Sequence, residues 1–138
     1  MTPEPISAHI TYAEATKTSK PFDNTPNASQ LQNMKDLAEN VFEPLRAHFG
    51  KPINIDSMFR SPKVNEAVGG KPNSQHLANS GAAMDINNDK FKASPSNKEI
   101  FDYIKDNLDY DQILNEHNLA WVHVSYKKGH NRKMVLNI

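Results

Sequence analysis

The sequence predicts an α+β domain, helices packed beside a small antiparallel sheet. Three observations lead there. Two stretches carry apolar residues at helical spacing behind capping signals, three short strand-like stretches close the chain, and no repeat or low-complexity tract interrupts them. At 138 residues the chain has the size of one domain with one core.

Residues 1–28 are polar and punctuated by prolines, with the turn signal Asp23-Asn24-Thr25-Pro26. They read as an N-terminal arm packed on the body, with one short helical turn near Tyr12–Thr16. Residues 29–138 read as the functional domain. Ser29 and Gln32 make an S-x-x-Q capping box, in which each side chain satisfies a free backbone N–H. Leu31, Met34, Leu37, Ala38, Val41, Phe42, Leu45 and Phe49 follow at helical spacing, and Gly50 supplies the stop. Pro44 lies inside this pattern and is expected to kink the helix or end its first part, because it removes a hydrogen bond.

Lys51-Pro52 leads into INIDS, a short strand with Ile53 and Ile55 inward. Ser61-Pro62 supplies an N-cap and a proline at the first helical position, and Gly69-Gly70 closes that helix after two turns. Residues 71–84 are small and polar, as in a loop. Ser96 and Glu99 form a second capping box, opening a helix through about Asn107 that buries Ile100, Phe101 and Ile104. The strand candidates are DQILNE (111–116), WVHVSY (121–126) and KMVLNI (133–138), with Gly129-His130-Asn131 as a hairpin turn between the last two.

Composition excludes several classes of function. The formal net charge is zero, so no global field recruits nucleic acid or an anionic membrane. The basic patch of Lys127, Lys128, Arg132 and Lys133 reads as a solvated turn. With no cysteine, disulfides and thiolate zinc sites are ruled out. The N-terminus lacks the basic start and apolar run of a secretory signal, and no run of eighteen apolar residues would insert into a membrane.

The stretch SQHLANSGAAMDI, Ser74 to Ile86, is poorly made for a hydrophobic core. It sets one imidazole, His76, and one carboxylate, Asp85, among residues almost without side chains. In WVHVS, alternation puts Trp121, His123 and Ser125 on one face and Val122 and Val124 on the other. An imidazole in mid-strand needs a hydrogen bond or a metal, because burying it unpaired costs roughly 1–3 kcal/mol. Two imidazoles and a carboxylate are a common catalytic zinc set, leaving a fourth position for a water of pKa about 7. The plainer reading makes both histidines hydrogen-bonded core residues and Asp85 a turn cap. His9, His48 and His130 have contexts that suit the surface.

Taken together, FRSPKVNEAVGGKPNSQHLANSGAAMDI and WVHVSYKKGHNRK resemble the zinc D-Ala-D-Ala carboxypeptidase-like metallopeptidases, which share a fold with the zinc domain of hedgehog signalling proteins. The resemblance extends through NVFEPLRAHFGKPI and DQIL, so it covers nearly the whole chain. It implies the hedgehog/DD-peptidase-like fold, a Zn2+ cofactor, and His76, Asp85 and His123 as its ligands. It makes Arg60 the group that polarises the scissile carbonyl and Ser74 a residue near the substrate. Two departures stand out. His76 and Asp85 are nine positions apart where the family commonly has seven, an insertion that costs little loop entropy. The acid that many relatives carry three residues before the last histidine is Ala120 here, which shifts the general-base role to Glu116, with His117 a weaker candidate. A hairpin of DQILNE and WVHVS would set Glu116 across from His123, with Cβ atoms about 4.5–5.5 Å apart.

What the resemblance implies is a zinc-dependent peptidase acting on peptidoglycan stem peptides or cross-links. It looks like a monomeric phage or prophage endolysin, made in the cytoplasm without a signal peptide and acting on the cell wall after release or from a virion. D,D-carboxypeptidase, cross-link endopeptidase and L-Ala-D-Glu endopeptidase activities all remain open. The alternative from another class is a non-enzymatic zinc-binding domain of the same fold, which Ala120 keeps in play.

Overall fold

Capping chemistry and apolar periodicity build two layers, a helical one and a five-stranded sheet. The computed structural model describes residues 4–116 and 118–137, with the side chain of Glu116 outside the described part. A short helix α1, Tyr12–Thr16, starts from a Thr11–Glu14 capping box. Helix α2 spans Ala28–Leu37, and its box is Asn27–Gln30 rather than Ser29–Gln32. Asparagine caps as well as serine, and Gln30 completes the reciprocal pair two residues earlier along the chain.

Pro44 neither breaks nor ends the helical path. The chain widens into a π-helical segment, Ala38–Phe42, and runs on as α3, Glu43–Phe49, with Pro44 in its first turn. The wider turn, in which the Glu43 N–H donates to the Ala38 carbonyl, accommodates a residue that has no N–H to give. Gly50, at φ +62°, ends α3 in the left-handed conformation that glycine adopts without strain.

Strand β1 is Ile55–Ser57, helix α4 is Pro62–Ala67 with Ser61 as its cap, and β2 is Ala82–Ile86. Helix α5, Asn97–Asn107, opens on the Ser96–Glu99 box and buries Ile100, Phe101 and Ile104, as its spacing requires. Strands β3, Gln112–Glu116, β4, Trp121–Tyr126, and β5, Met134–Asn137, complete the sheet in the order β1-β2-β4-β3-β5.

The last strand departs from the expected hairpin. β5 pairs in parallel with β3, on the far side from β4, so the sheet is mixed. Gly129 does help turn the chain, but the residues after it are carried across to β3. Lys133 and Met134 donate their N–H groups to the carbonyls of Tyr110 and Asp111, and Arg132 clamps the Asp111 carboxylate. Those bonds outcompete a return along β4.

One face of the sheet presents Met84, Ile86, Ile113, Val122 and Val124, all buried, to α2 and α5. Burial of side chains this size contributes about 1.5–3 kcal/mol each, enough to fix the strand register. Ile6, Ile10 and Ala15 of the N-terminal segment join the same core. Because alternation commits the valines of β4 to that core, His123 must face the other way, toward an open cleft. No helix among the described residues is long and apolar enough to cross a membrane.

Candidate metal centre

His76 sits in a 3-10 turn, Gln75–Leu77, where the Ser74 hydroxyl accepts its N–H at 3.2 Å. Its Nδ1 lies 2.6 Å from the Met58 carbonyl oxygen. A carbonyl only accepts, so Nδ1 carries the proton and Nε2 keeps its lone pair. That Nε2 is buried and has no hydrogen-bond partner among the described residues. Asp85 Oδ1 is 3.4 Å away but is not aligned to bond it. A buried nitrogen left this way costs about 1–3 kcal/mol unless something fills the gap.

Asp85 on β2 and His123 on β4 are register partners, and His123 Nδ1 stands 2.9 Å from Asp85 Oδ1. The rings of His76 and His123 meet edge to face, with centroids 5.0 Å apart. His76, Asp85 and His123 each offer one ligand atom, and these atoms lie within 4.8 Å of one another. Burial alone would push the Asp85 carboxyl up. The hydrogen bond with His123 and the adjacent His76 outweigh it and hold the group well below the usual carboxylate range. The donor set therefore consists of a carboxylate that stays ionised and imidazole nitrogens, one of them unspent. That set fits Zn2+, which takes nitrogen and oxygen ligands and keeps a further position open in catalytic sites.

Arg60 borders this group. Its backbone N–H donates to the His76 carbonyl at 2.9 Å. Among the described residues its guanidinium is held by long contacts, Nη2 to Asp85 Oδ2 at 3.5 Å and Nε to Ser57 Oγ at 3.4 Å. Asn24, from the N-terminal segment, frames the same stretch: its Nδ2 donates to the Thr16 and Phe59 carbonyls, and its Oδ1 accepts the Ser61 N–H at 2.6 Å. Sequence reasoning read Gly69-Gly70 only as a helix stop. In the fold, a Cβ on Gly70 would stand 2.0 Å from Asn65 Oδ1 and 3.2 Å from Arg60 Nη1. The glycine doublet was a usable signal for that close approach.

The other expected residues divide. Ser74 lines the cleft while capping the His76 turn. Glu116 lies on β3 but pairs with Trp121, and Leu114 is the residue opposite His123. The observed register is therefore two residues away from the expected one, a shift that keeps Ile113, Val122 and Val124 on the core face. The side chain of Glu116 and the whole of His117 lie outside the described residues. His9 bonds Glu43 through Nδ1 at 2.6 Å, and His48 stacks on Tyr103 at 3.9 Å, both away from the centre.

The three-residue group opens onto a cleft of about 1210 Å³. Trp121, Leu114 and Leu136 contribute an apolar strip of its floor. One wall runs from Gly69 to His76, the other from Lys127 to Arg132. Sequence reasoning missed this second wall, since it took Lys127 and Arg132 for a solvated turn. Asp111 joins the two walls: it accepts from Gln75 Nε2 at 2.9 Å and from Arg132 Nε and Nη2 at 2.8 and 2.9 Å. Arg132 draws the Asp111 carboxyl down to about 2.

A family model described as Peptidase M15 matches residues 8–125. No curated protein matches the chain. The chain belongs to the peptidase M15 family and is a zinc D-Ala-D-Ala carboxypeptidase-like metallopeptidase.

Proposed function

We propose that this M15 peptidase hydrolyses peptide bonds in peptidoglycan stem peptides or cross-links, as a monomeric cell-wall lytic enzyme of the phage or prophage endolysin kind. On this reading it is made in the cytoplasm and meets the wall after release or from a virion. The observation that carries the reading is the His76 Nε2, without a partner among the described residues, beside Asp85 and His123 in a cleft of about 1210 Å³.

His76, Asp85 and His123 would hold the zinc. When bound, the ion supplies Lewis acidity, making water acidic near neutral pH and polarising a carbonyl. The protein's own groups do the rest. Met58 fixes the His76 tautomer through Nδ1, which keeps Nε2 available. Arg60, loosely held by Ser57 and Asp85, is free to donate N–H groups to the carbonyl oxygen as negative charge develops there. Glu116 takes the proton from the attacking water and returns it to the departing amine. Ser74 and the Trp121–Leu114 strip help seat the peptide.

The test is digestion of purified sacculi, with elemental analysis of the protein and mass spectrometry of the released fragments. One equivalent of zinc and chelator-sensitive release of peptides is the expected result. The fragment masses identify the bond. Bound zinc with no peptide released would overturn the proposal in favour of a non-catalytic zinc module.

A further inference from the structure

The chain carries no net charge, yet its cleft is lopsided. Among the described residues four cationic side chains line it, Arg60, Lys71, Lys127 and Arg132, against the carboxylates of Asp85 and Asp111. Neither carboxylate is free to balance them. Asp85 lies among His76, His123 and Arg60. Asp111 is buried and has both oxygens occupied: Oδ1 accepts from the backbone N–H and Nε of Arg132, Oδ2 from Arg132 Nη2 and Gln75 Nε2. The Lys71 and Lys127 ammonium groups form no ion pair among the described residues.

Arg60 stays beside Asp85, while Lys127 and Arg132 share the loop that follows β4. Trp121, His123, Ser125 and Lys127 follow one another at alternate positions, so Trp121 and Lys127 fall on opposite sides of the metal group. Arg132 is locked in place by Asp111 while over half of its side chain stays exposed, which leaves the outer edge of a rigid guanidinium toward the cleft. Lys71 approaches from the opposite wall. At about 3.3 Å per residue, Lys127 lies about 13 Å along the strand from His123. An extended peptide covers that span, less the reach of a lysine side chain, in about two to four residues.

We infer that the end of the cleft bounded by Lys71, Lys127 and Arg132 is a subsite for a free carboxylate on the peptide substrate, about two to four residues from the bond that is cut. The inference rests on the peptidase reading above and narrows it to acidic peptides. A carboxylate and its primary amide have nearly the same shape, so the subsite separates them by charge alone.

The experiment compares zinc-loaded enzyme on sacculi with free stem-peptide carboxylates and on the same sacculi after carbodiimide coupling to ammonia. Amidation is expected to slow wild-type hydrolysis about tenfold in 50 mM salt, with the difference shrinking in 0.5 M salt. The K71Q/K127Q double variant is expected to lose that preference while binding one equivalent of zinc, its KM for native sacculi rising more than its kcat falls. Equal wild-type rates on both sacculi would overturn the subsite and leave the peptidase reading standing. So would an amidation effect that persists undiminished in the double variant. Zinc-loaded wild type that cuts neither preparation overturns the peptidoglycan reading, and the subsite with it.

Discussion

His123 and Asp85 face each other directly across β4 and β2, with Nδ1 and Oδ1 2.9 Å apart. Strand pairing alone thus assembles two of the three zinc-binding candidates. A slip of one residue would turn His123 into the helix-covered core. The third, His76, arrives on a separate turn set by Ser74 and Met58.

Replacing either strand partner should therefore cost metal and activity together. His123→Ala and Asp85→Asn are expected to purify with little zinc and to lose more than about 100-fold in hydrolysis. Phenanthroline should do the same to the wild type and lower its melting temperature, with added zinc restoring both. Full zinc occupancy in His123→Ala would disprove this ligand set.

Glu116→Gln should separate binding from turnover. Zinc content is expected to stay at one equivalent while kcat falls about 10²–10⁴-fold, the range for loss of a positioned proton acceptor. Elemental analysis and steady-state kinetics on one preparation decide it. Wild-type turnover would move the role to another group.

Gly81 ends the loop between His76 and Asp85. It sits at φ +78°, and a Cβ there would lie 2.4 Å from the Tyr126 carbonyl oxygen and 3.0 Å from Lys127 Cβ. Gly81→Ala combines left-handed strain with a backbone clash and should destabilise the fold by about 2–4 kcal/mol, measured by urea unfolding. An unchanged midpoint would mean that β2 and β4 are less closely paired at this end.

Asp111 gives the clearest dependence on pH. Arg132 lowers its carboxyl from 3.8 to about 2 in the folded protein. A depressed pKa means stability that is complete above about pH 4 and disappears as pH falls through about 2. Asp111→Asn should cost about 1–3 kcal/mol at neutral pH, the scale for losing hydrogen bonds to a buried charge. Its stability should also change less than the wild type's between about pH 4 and pH 2. Urea titrations of the metal-stripped proteins across that window compare the two slopes.

Much of this was legible in the residues. The Ser96–Glu99 box, the inward Val122 and Val124, and the odd pairing of His76 with Asp85 were local signals, and the fold obeys them. The misplacements share a cause, since each turned on a competition between distant segments. The parallel course of β5 depends on Tyr110 and Asp111 capturing residues 132–134, which no local pattern announces. The register of β3 against β4 has no local signal, since a shift of two residues keeps every apolar side chain on its proper face. Arg132 looked like solvent-facing charge because its partner, Asp111, is not nearby in sequence.

That carboxylate also acts as a spacer. Gln75, the immediate neighbour of His76, and Arg132, on the facing loop, both end on Asp111, so a single side chain sets how far apart the two jambs stand. Insertions or substitutions in the 127–133 loop should thus alter the seat of His76 as well as the width of the opening, and selectivity and metal affinity would drift in step.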